Sequence, residues 1–271
     1  MLSRRAFVGG CLGVGAAAGS LGWYSGFYEP TNIEVVKRRV TVPGLPAKLA
    51  GLTAVQESDL HLVHTADVHV KMVDQIRALK PDLVFLTGDV VDDASAVDEA
   101  VALLQSLSPP RGIWAVAGNW DHTADAVDAL NTSFDKVGMH FLINESRQLE
   151  EGLWILGVDD PSTAMDNLDD ALAGVSGSAP RILLAHSPDI VNSLDKSRFD
   201  LILAGHTHGG QINLPIANGG WVKNGPTRQY LEGLFHVHGS PMYVNRGIGV
   251  THIPIRIGAR PEITHFTFNG S

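Results

Sequence analysis

The chain has 271 residues, 44% of them hydrophobic, a formal net charge of −9 and one cysteine, Cys11. This length and apolar content suit one large α/β core. The acidic balance excludes a nucleic-acid backbone as an expected partner, and the lone cysteine excludes an internal disulfide.

The first 28 residues read apart from the rest. Arg4-Arg5 is followed by Phe7 and by an uncharged, Gly- and Ala-rich run from Ala6 to Tyr28. This resembles a twin-arginine export signal, with Ala16-Ala17-Ala18 offering small residues for cleavage. The run is also long enough to span a bilayer, with the arginines inside and Trp23, Tyr24, Phe27 and Tyr28 at the far interface. A cleaved signal and a retained anchor therefore both stay open. Either fate makes the twin-arginine machinery a partner and puts residues 29–271 in the periplasm or at the outer face of the cytoplasmic membrane.

The remaining chain alternates strand-like and helix-like stretches. Glu34 to Val42 reads as an edge strand, and Leu52 to Gln56 as a strand ending at Ser58-Asp59-Leu60-His61. Ala66 to Leu79 reads as a helix with Thr65 as its N-cap and Val70, Val73, Ile76 and Leu79 near one face. Strand Leu83 to Leu86 ends at Gly88-Asp89, and helix Ala96 to Leu107 follows. Strand Ile113 to Val116 ends at Gly118-Asn119, and helix Ala124 to Val137 follows. Strands are expected at Phe141 to Asn144 and Leu153 to Val158, then a helix near Met165 to Ala173. Ile182 to Ala185 ends at His186, and Leu201 to Ala204 at Gly205-His206-Thr207-His208-Gly209-Gly210-Gln211. Short strands close the chain at Gln211 to Leu214, Leu234 to Val237, Met242 to Asn245 and Glu262 to Phe268.

Five strand ends thus carry metal-type ligands in order: Asp59 and His61, Asp89, Asn119, His186, and His206 with His208. In open α/β sheets, ligands bind beyond the carboxyl ends of the strands, and neutral imidazole is the commonest metal ligand among side chains. Each residue alone has an ordinary reading, as a capping Asp, a solvated His or a turn Asn. The ordered series points instead to one metal-binding cleft. A mixed carboxylate, amide and imidazole set suits Mn²⁺, Fe²⁺ or Zn²⁺.

The pieces Asp59-Leu60-His61, Gly88-Asp89, Gly118-Asn119, His186 and Gly205-His206-Thr207-His208 resemble those of the calcineurin-like metallophosphoesterases in order and spacing. Leu86 to Asp89, Ala185 to Asp189, Gly209-Gly210-Gln211, Asn245 to Gly249 and Pro254-Ile255-Arg256 resemble the exported or membrane-bound bacterial branch. The resemblance implies an αββα sandwich, two mixed β-sheets between helices. It also implies two divalent metal ions, one held by Asp59, His61 and His208, the other by Asn119, His186 and His206, with Asp89 bridging. Two such ions lower the pKa of a bridging water and neutralise the reacting oxygens.

One departure stands out. The family pattern Gly-Asn-His-Asp has a His where this chain has Trp120, in Asn119-Trp120-Asp121-His122. His122 is the candidate to assist the leaving group in its place, provided that the loop is not helical. Trp120 either packs in the core or stacks on a substrate ring. Arg246, in a Gly-flanked turn, is a candidate phosphate holder. A second Asp-x-His, Asp67-Val68-His69, falls in the first turn of a helix, where residues i and i+2 diverge, so it is rejected as a ligand pair.

The expected activity is hydrolysis of a phosphomonoester, phosphodiester or pyrophosphate by a metal-bridging hydroxide. The N-terminal segment makes an envelope phospholipid or a cell-wall phosphate the expected substrate class, and the resemblance adds a nucleotide-sugar lipid such as UDP-2,3-diacylglucosamine. A non-catalytic metal-binding envelope protein is the alternative.

Overall fold

Leu83, Val84, Phe85 and Leu86 are all fully buried, which a strand achieves only when both of its faces are covered. The computed structural model, which describes residues 19–149, 152–194, 197–213 and 226–270, covers them with a second sheet on one side and helices on the other. Arg4, Arg5, Ala16-Ala17-Ala18 and Leu214 lie outside the described residues.

Among the described residues, twelve strands form two six-stranded mixed sheets. The first contains β1 (Glu34–Thr41), β2 (Thr53–Glu57), β3 (Leu83–Thr87), β4 (Ile113–Val116), β5 (His140–Phe141) and β12 (Glu262–Asn269), in the order β1-β12-β2-β3-β4-β5. The second contains β6 (Glu145–Gln148), β7 (Trp154–Gly157), β8 (Arg181–Leu184), β9 (Leu201–Ala204), β10 (Gly233–Val237) and β11 (Ser240–Val244), in the order β10-β11-β9-β8-β7-β6. The parallel run β2-β3-β4-β5 forms the heart of one sheet and β7-β8-β9 that of the other.

Alternation along the strands builds three apolar layers. Leu83, Phe85, Trp114 and Val116 of the first sheet meet Ile155, Ile182, Leu184 and Leu203 of the second. Val84 and Leu86 point the other way, onto α1 (Asp67–Leu79), α2 (Val97–Gln105) and α4 (Val127–Lys136) through Met72, Ile76, Leu104, Leu130 and Phe134. Leu156, Leu183 and Ile202 face the outer layer that includes α5 (Leu168–Leu172). The αββα sandwich is therefore the fold, and it brings the carboxyl ends of β2, β3, β4, β8 and β9 to one edge.

Several boundaries differ from the sequence reading, each for a local reason. Thr65 does not cap α1. Ala66 holds the N-cap position, and its N–H is met by His69 Nδ1 at 3.0 Å. Met72 lies in the core of that helix's buried face, while Val70 is 49% exposed. Of the strand expected at Phe141 to Asn144 only Phe141 lies in a strand, β5; Asn144 at φ +54° then turns the chain into β6 of the other sheet, a strand the sequence reading did not expect. Gln211, also at positive φ, ends a short 3₁₀ turn, so Ile212 makes only an isolated bridge to Ile257 where a strand was expected. At the N-terminus, Ser25 and Glu29 are buried against the body, so packing of the fold begins ahead of residue 28.

Candidate metal centre

The loop after β2 carries Asp59 and His61, and the loop after β3 carries Asp89. The two loops are laced together by Asp59 N–H to Gly88 O (3.0 Å) and His61 N–H to Asp89 O (3.0 Å). Asp59, His61, Asp89, His206 and His208 all adopt φ between +49° and +70°, a region that non-glycine residues rarely occupy and that collects at functional sites. Two glycines are required by crowding: a Cβ on Gly118 would strike the Asp89 carboxylate, and one on Gly205 would strike Ser58.

These loops assemble two adjacent groups. Asp59, His61 and His208 have ligand atoms within 4.8 Å of one another, and so do Asp89, His186 and His206. Asn119 joins the second group, with Oδ1 3.1 Å from His186 Nε2. Asp89 Oδ1 accepts the Trp120 N–H at 2.8 Å. Its Oδ2 lies 3.5 Å from His61 Nε2 and 3.3 Å from His186 Nε2, so one carboxylate oxygen faces both groups. The seven side chains lie together, Asp59, His61 and His208 in one group and Asn119, His186 and His206 in the other, with Asp89 between them.

The second group has the chemistry of a cation site. The Nδ1 of His186 lies 2.8 Å from the Thr87 carbonyl and donates to it, so it is Nε2 that carries the second proton and, once that proton is lost, offers a lone pair. That Nε2 faces His206 Nδ1 at 3.0 Å, Asn119 Oδ1 at 3.1 Å and Asp89 Oδ2. Acceptors converge there with a shortage of donors, and a divalent ion satisfies them. In the first group His61 Nε2 faces His208 Nε2 at 3.0 Å, while Asp92 Oδ1 holds His61 Nδ1 at 2.6 Å.

Electrostatics agree. Burial opposes charge on Asp59 and Asp89, but the surrounding imidazoles outweigh it and hold both carboxyls below their ordinary values. Burial likewise opposes protonation of His186 and His61; the charge of Asp89 for His186, and Asp92 with Asp89 for His61, override it and raise both. Burial keeps His206 lowered and brings His208 down to about 4.

Several supporting residues were not foreseen. Asp92 is one. Asp121 is fully buried and accepts from the backbone N–H groups of Val90, Val91 and Gly118 at 2.9, 3.0 and 2.9 Å, tying the Asp89 loop to the Asn119 loop. Burial and the neighbouring Asp89 push its carboxyl up to about 7. Arg256 is fully buried and donates to the carbonyls of Arg246, Gly247, Gly249 and Ala259, with Nη2 3.3 Å from His208 Nδ1. Burial brings its guanidinium down to about 10. The carboxylates of Asp92 and Asp121 in the loops of Asp89 and Asn119 were the available signals.

Residues Asn119–Thr123 form a short helix, α3, against the expectation of an irregular loop. The helix removes the condition under which His122 was expected to stand in for the residue at Trp120; His122 instead follows Asn119 by three residues, on the same side of the helix, and its Nε2 is held by Asp159 Oδ1 at 2.7 Å. Trp120 is half-buried at the rim rather than in the core. It stands edge-on to His61 with ring centroids 5.8 Å apart and 5.3 Å from the exposed His252. Arg246 corrects the reading of a phosphate holder. Its Nε lies 2.6 Å from Glu262 and 3.3 Å from Glu232, and its Nη2 2.8 Å from Glu34, so carboxylates already neutralise it. His69, of the rejected pair, donates from Nε2 to Leu60 O at 2.9 Å and so braces the first metal loop.

A sandwich that gathers imidazoles and carboxylates at strand ends defines a metal-dependent hydrolase, and comparison with known proteins narrows that class. Residues 53–210 match the family described as Calcineurin-like phosphoesterase. The chain is 31% identical over 283 residues to the uncharacterized metallophosphoesterase YkuE of Bacillus subtilis, covering 100% of this chain and 99% of that one. It is 28% identical over 311 residues to the UDP-2,3-diacylglucosamine pyrophosphatase LpxG of Chlamydia trachomatis, covering 91% and 93%. Among solved structures, the Thermus thermophilus protein TT1561 shares the fold, with a TM-score of 0.50 at 13% identity over 73% of this chain and 91% of that one. This chain belongs to the calcineurin-like phosphoesterase family and is a hydrolase.

Proposed function

We propose that this protein hydrolyses phosphate esters at a two-metal centre, with Asp59, His61 and His208 holding one ion, Asn119, His186 and His206 the other, and Asp89 spanning both. The observation that carries this is the single Asp89 oxygen facing His61 and His186 at once. Mn²⁺, Fe²⁺ and Zn²⁺ suit the donor set. Once bound, such ions supply an activated water, charge neutralisation and orientation of the phosphorus.

The chain's own residues do the rest. Asp92 and Thr87 fix the rings of His61 and His186. His122, oriented by Asp159, gives a proton to the departing oxygen. Trp120 offers a ring edge at the rim for substrate packing. The substrate is an extracytoplasmic phosphoester, with export by the twin-arginine route supported by Arg4-Arg5 and the uncharged run behind them. Likeness to the Chlamydia pyrophosphatase makes a nucleotide-linked acyl sugar one substrate to assay.

The test is hydrolysis of bis-p-nitrophenyl phosphate and p-nitrophenyl phosphate by the metal-stripped protein, titrated with Mn²⁺, Zn²⁺, Fe²⁺ and Mg²⁺. Asp89→Asn is the control. Metal-dependent turnover lost in that variant is the expected result; absence of turnover with both sites loaded overturns the reading.

A further inference from the structure

Among the described residues, five of the ten exposed large hydrophobic side chains fall within eight positions: Leu21, Trp23, Tyr24, Phe27 and Tyr28, at 53, 60, 39, 70 and 46% exposure. They lie on residues 19–23, which are helical, and on the π-helical turn Tyr24–Tyr28 that continues them. The opposite side of this segment is fastened to the body. Ser25 O accepts the Arg256 N–H at 3.0 Å, Glu29 Oε1 accepts the Ala259 N–H at 2.8 Å, and both Ser25 and Glu29 are buried. An apolar face is therefore held outward in a fixed orientation.

That face adjoins the metal centre through one residue. Arg256 takes the Ser25 carbonyl on its backbone N–H and reaches His208 with its guanidinium at 3.3 Å. The loop just before it carries Ile253, 38% exposed, and His252, whose ring packs on Trp120 beside His61. Gln211 clamps this loop to the His208 turn by donating to the carbonyls of Thr251 and Ile253, each at 2.9 Å.

The occupant of the face is indicated by the chain that leads into it. From Ala6 to Tyr28 there is no charged side chain, and the run ends in a Trp/Tyr cluster of the kind that settles at the membrane–water boundary. With a net charge of −9, the chain as a whole gains nothing from an anionic leaflet, so contact rests on apolar burial rather than on a basic patch.

We propose that Leu21, Trp23, Phe27 and Ile253 form a membrane-docking face that sets the mouth of the metal centre at the bilayer surface, and that its substrates are phosphate esters of lipid headgroups. The proposal rests on the two-metal hydrolase reading for its chemistry and on the N-terminal packing for its geometry.

The test uses the full chain, with vesicles of phosphatidylcholine containing phosphatidic acid or phosphatidylglycerol, and bis-p-nitrophenyl phosphate as a soluble substrate. Brominated acyl chains are expected to quench tryptophan fluorescence in the parent and much less in Trp23→Phe, with little dependence on salt. Trp23→Ser/Phe27→Ser is expected to lower the ratio of vesicle-lipid to soluble-ester hydrolysis ~10-fold or more, the scale set by burying two aromatic side chains. The conservative Trp23→Phe/Phe27→Leu should keep most of that ratio and serves as the folding control. Equal quenching in parent and Trp23→Phe overturns the docking face. An unchanged hydrolysis ratio overturns the placement of the mouth, and a dimer that the Ser variant dissociates without altering that ratio assigns the face to a second copy. Soluble-ester turnover missing from the parent overturns the hydrolase reading instead, while quenching still decides the docking face.

Discussion

Asp92 holds His61 from behind: its Oδ1 lies 2.6 Å from Nδ1, while Nε2 of the same ring is turned toward Asp89 and His208. A carboxylate in this position fixes the tautomer and orientation of a ligating imidazole and raises its basicity. Asp92→Ala should weaken binding of the ion on the Asp59 side by about 10–100-fold. The ion on the Asp89 and His186 side should be retained, because Thr87 orients that ring. Stepwise metal titration followed by calorimetry checks this, and equal loss of both ions counts against it.

Asp121 joins two loops rather than binding an ion. Its oxygens accept three backbone N–H groups in a fully buried setting. Asp121→Ala leaves those donors without partners, a cost of about 3–5 kcal/mol. Asp121→Asn turns one acceptor into a donor facing an N–H and should recover little of the loss. Denaturant unfolding of the metal-free proteins measures both, and an effect under about 1 kcal/mol would contradict this account.

That these seven side chains gather at one edge could be read from the sequence because the fold makes position along the chain equal to position in space. Leu83–Leu86 and Leu201–Ala204 are apolar on both faces, so each strand announces its own end, and the chemistry follows directly as Gly88-Asp89 or Gly205-His206. What escaped depends on residues far apart or on backbone groups. Arg246 looked free because Glu34, Glu232 and Glu262, which neutralise it, come from three separate segments. Asp121 acts on N–H groups, which no side-chain pattern displays. The bend at Asn144 that carries the chain from β5 into the unexpected strand β6 of the other sheet is a single backbone angle.

Arg246 should accordingly behave as a structural residue. Its removal would strand Glu262, whose side chain is 3% exposed and also accepts from Tyr243. Arg246→Ala should cost about 3–5 kcal/mol of stability while the folded enzyme keeps its KM for a soluble phosphodiester. A selective rise in KM with unchanged stability would restore the phosphate-holding role.

His122 is expected to matter in proportion to the difficulty of the leaving group. It shares a side of α3 with Asn119, and its Nε2 is held by Asp159 Oδ1 at 2.7 Å. His122→Ala should slow hydrolysis of alkyl phosphate esters by about 10²-fold or more, the usual scale of general acid catalysis. p-Nitrophenyl esters, whose leaving oxygen needs no proton, should be affected far less. Equal effects on the two classes would remove His122 from proton transfer.

Metal binding should release protons and tighten as pH rises. Although burial opposes it, the acidic neighbours raise His61 and His186 in the metal-free protein, so protonation stabilises that state below the ordinary histidine value of about 6.5. The stabilisation is lost as pH climbs through the raised values, and over the same interval the ions no longer compete with those protons. His206, lowered, and His208, at about 4, contribute none near neutrality. Log affinity against pH should therefore rise below those raised values, with at most one proton released for each of His61 and His186, and level off above them. Calorimetry in buffers of different ionisation enthalpy counts the protons directly. A slope near zero below neutrality would mean that both rings are already neutral in the metal-free site and that Asp92 and Asp89 do not raise them.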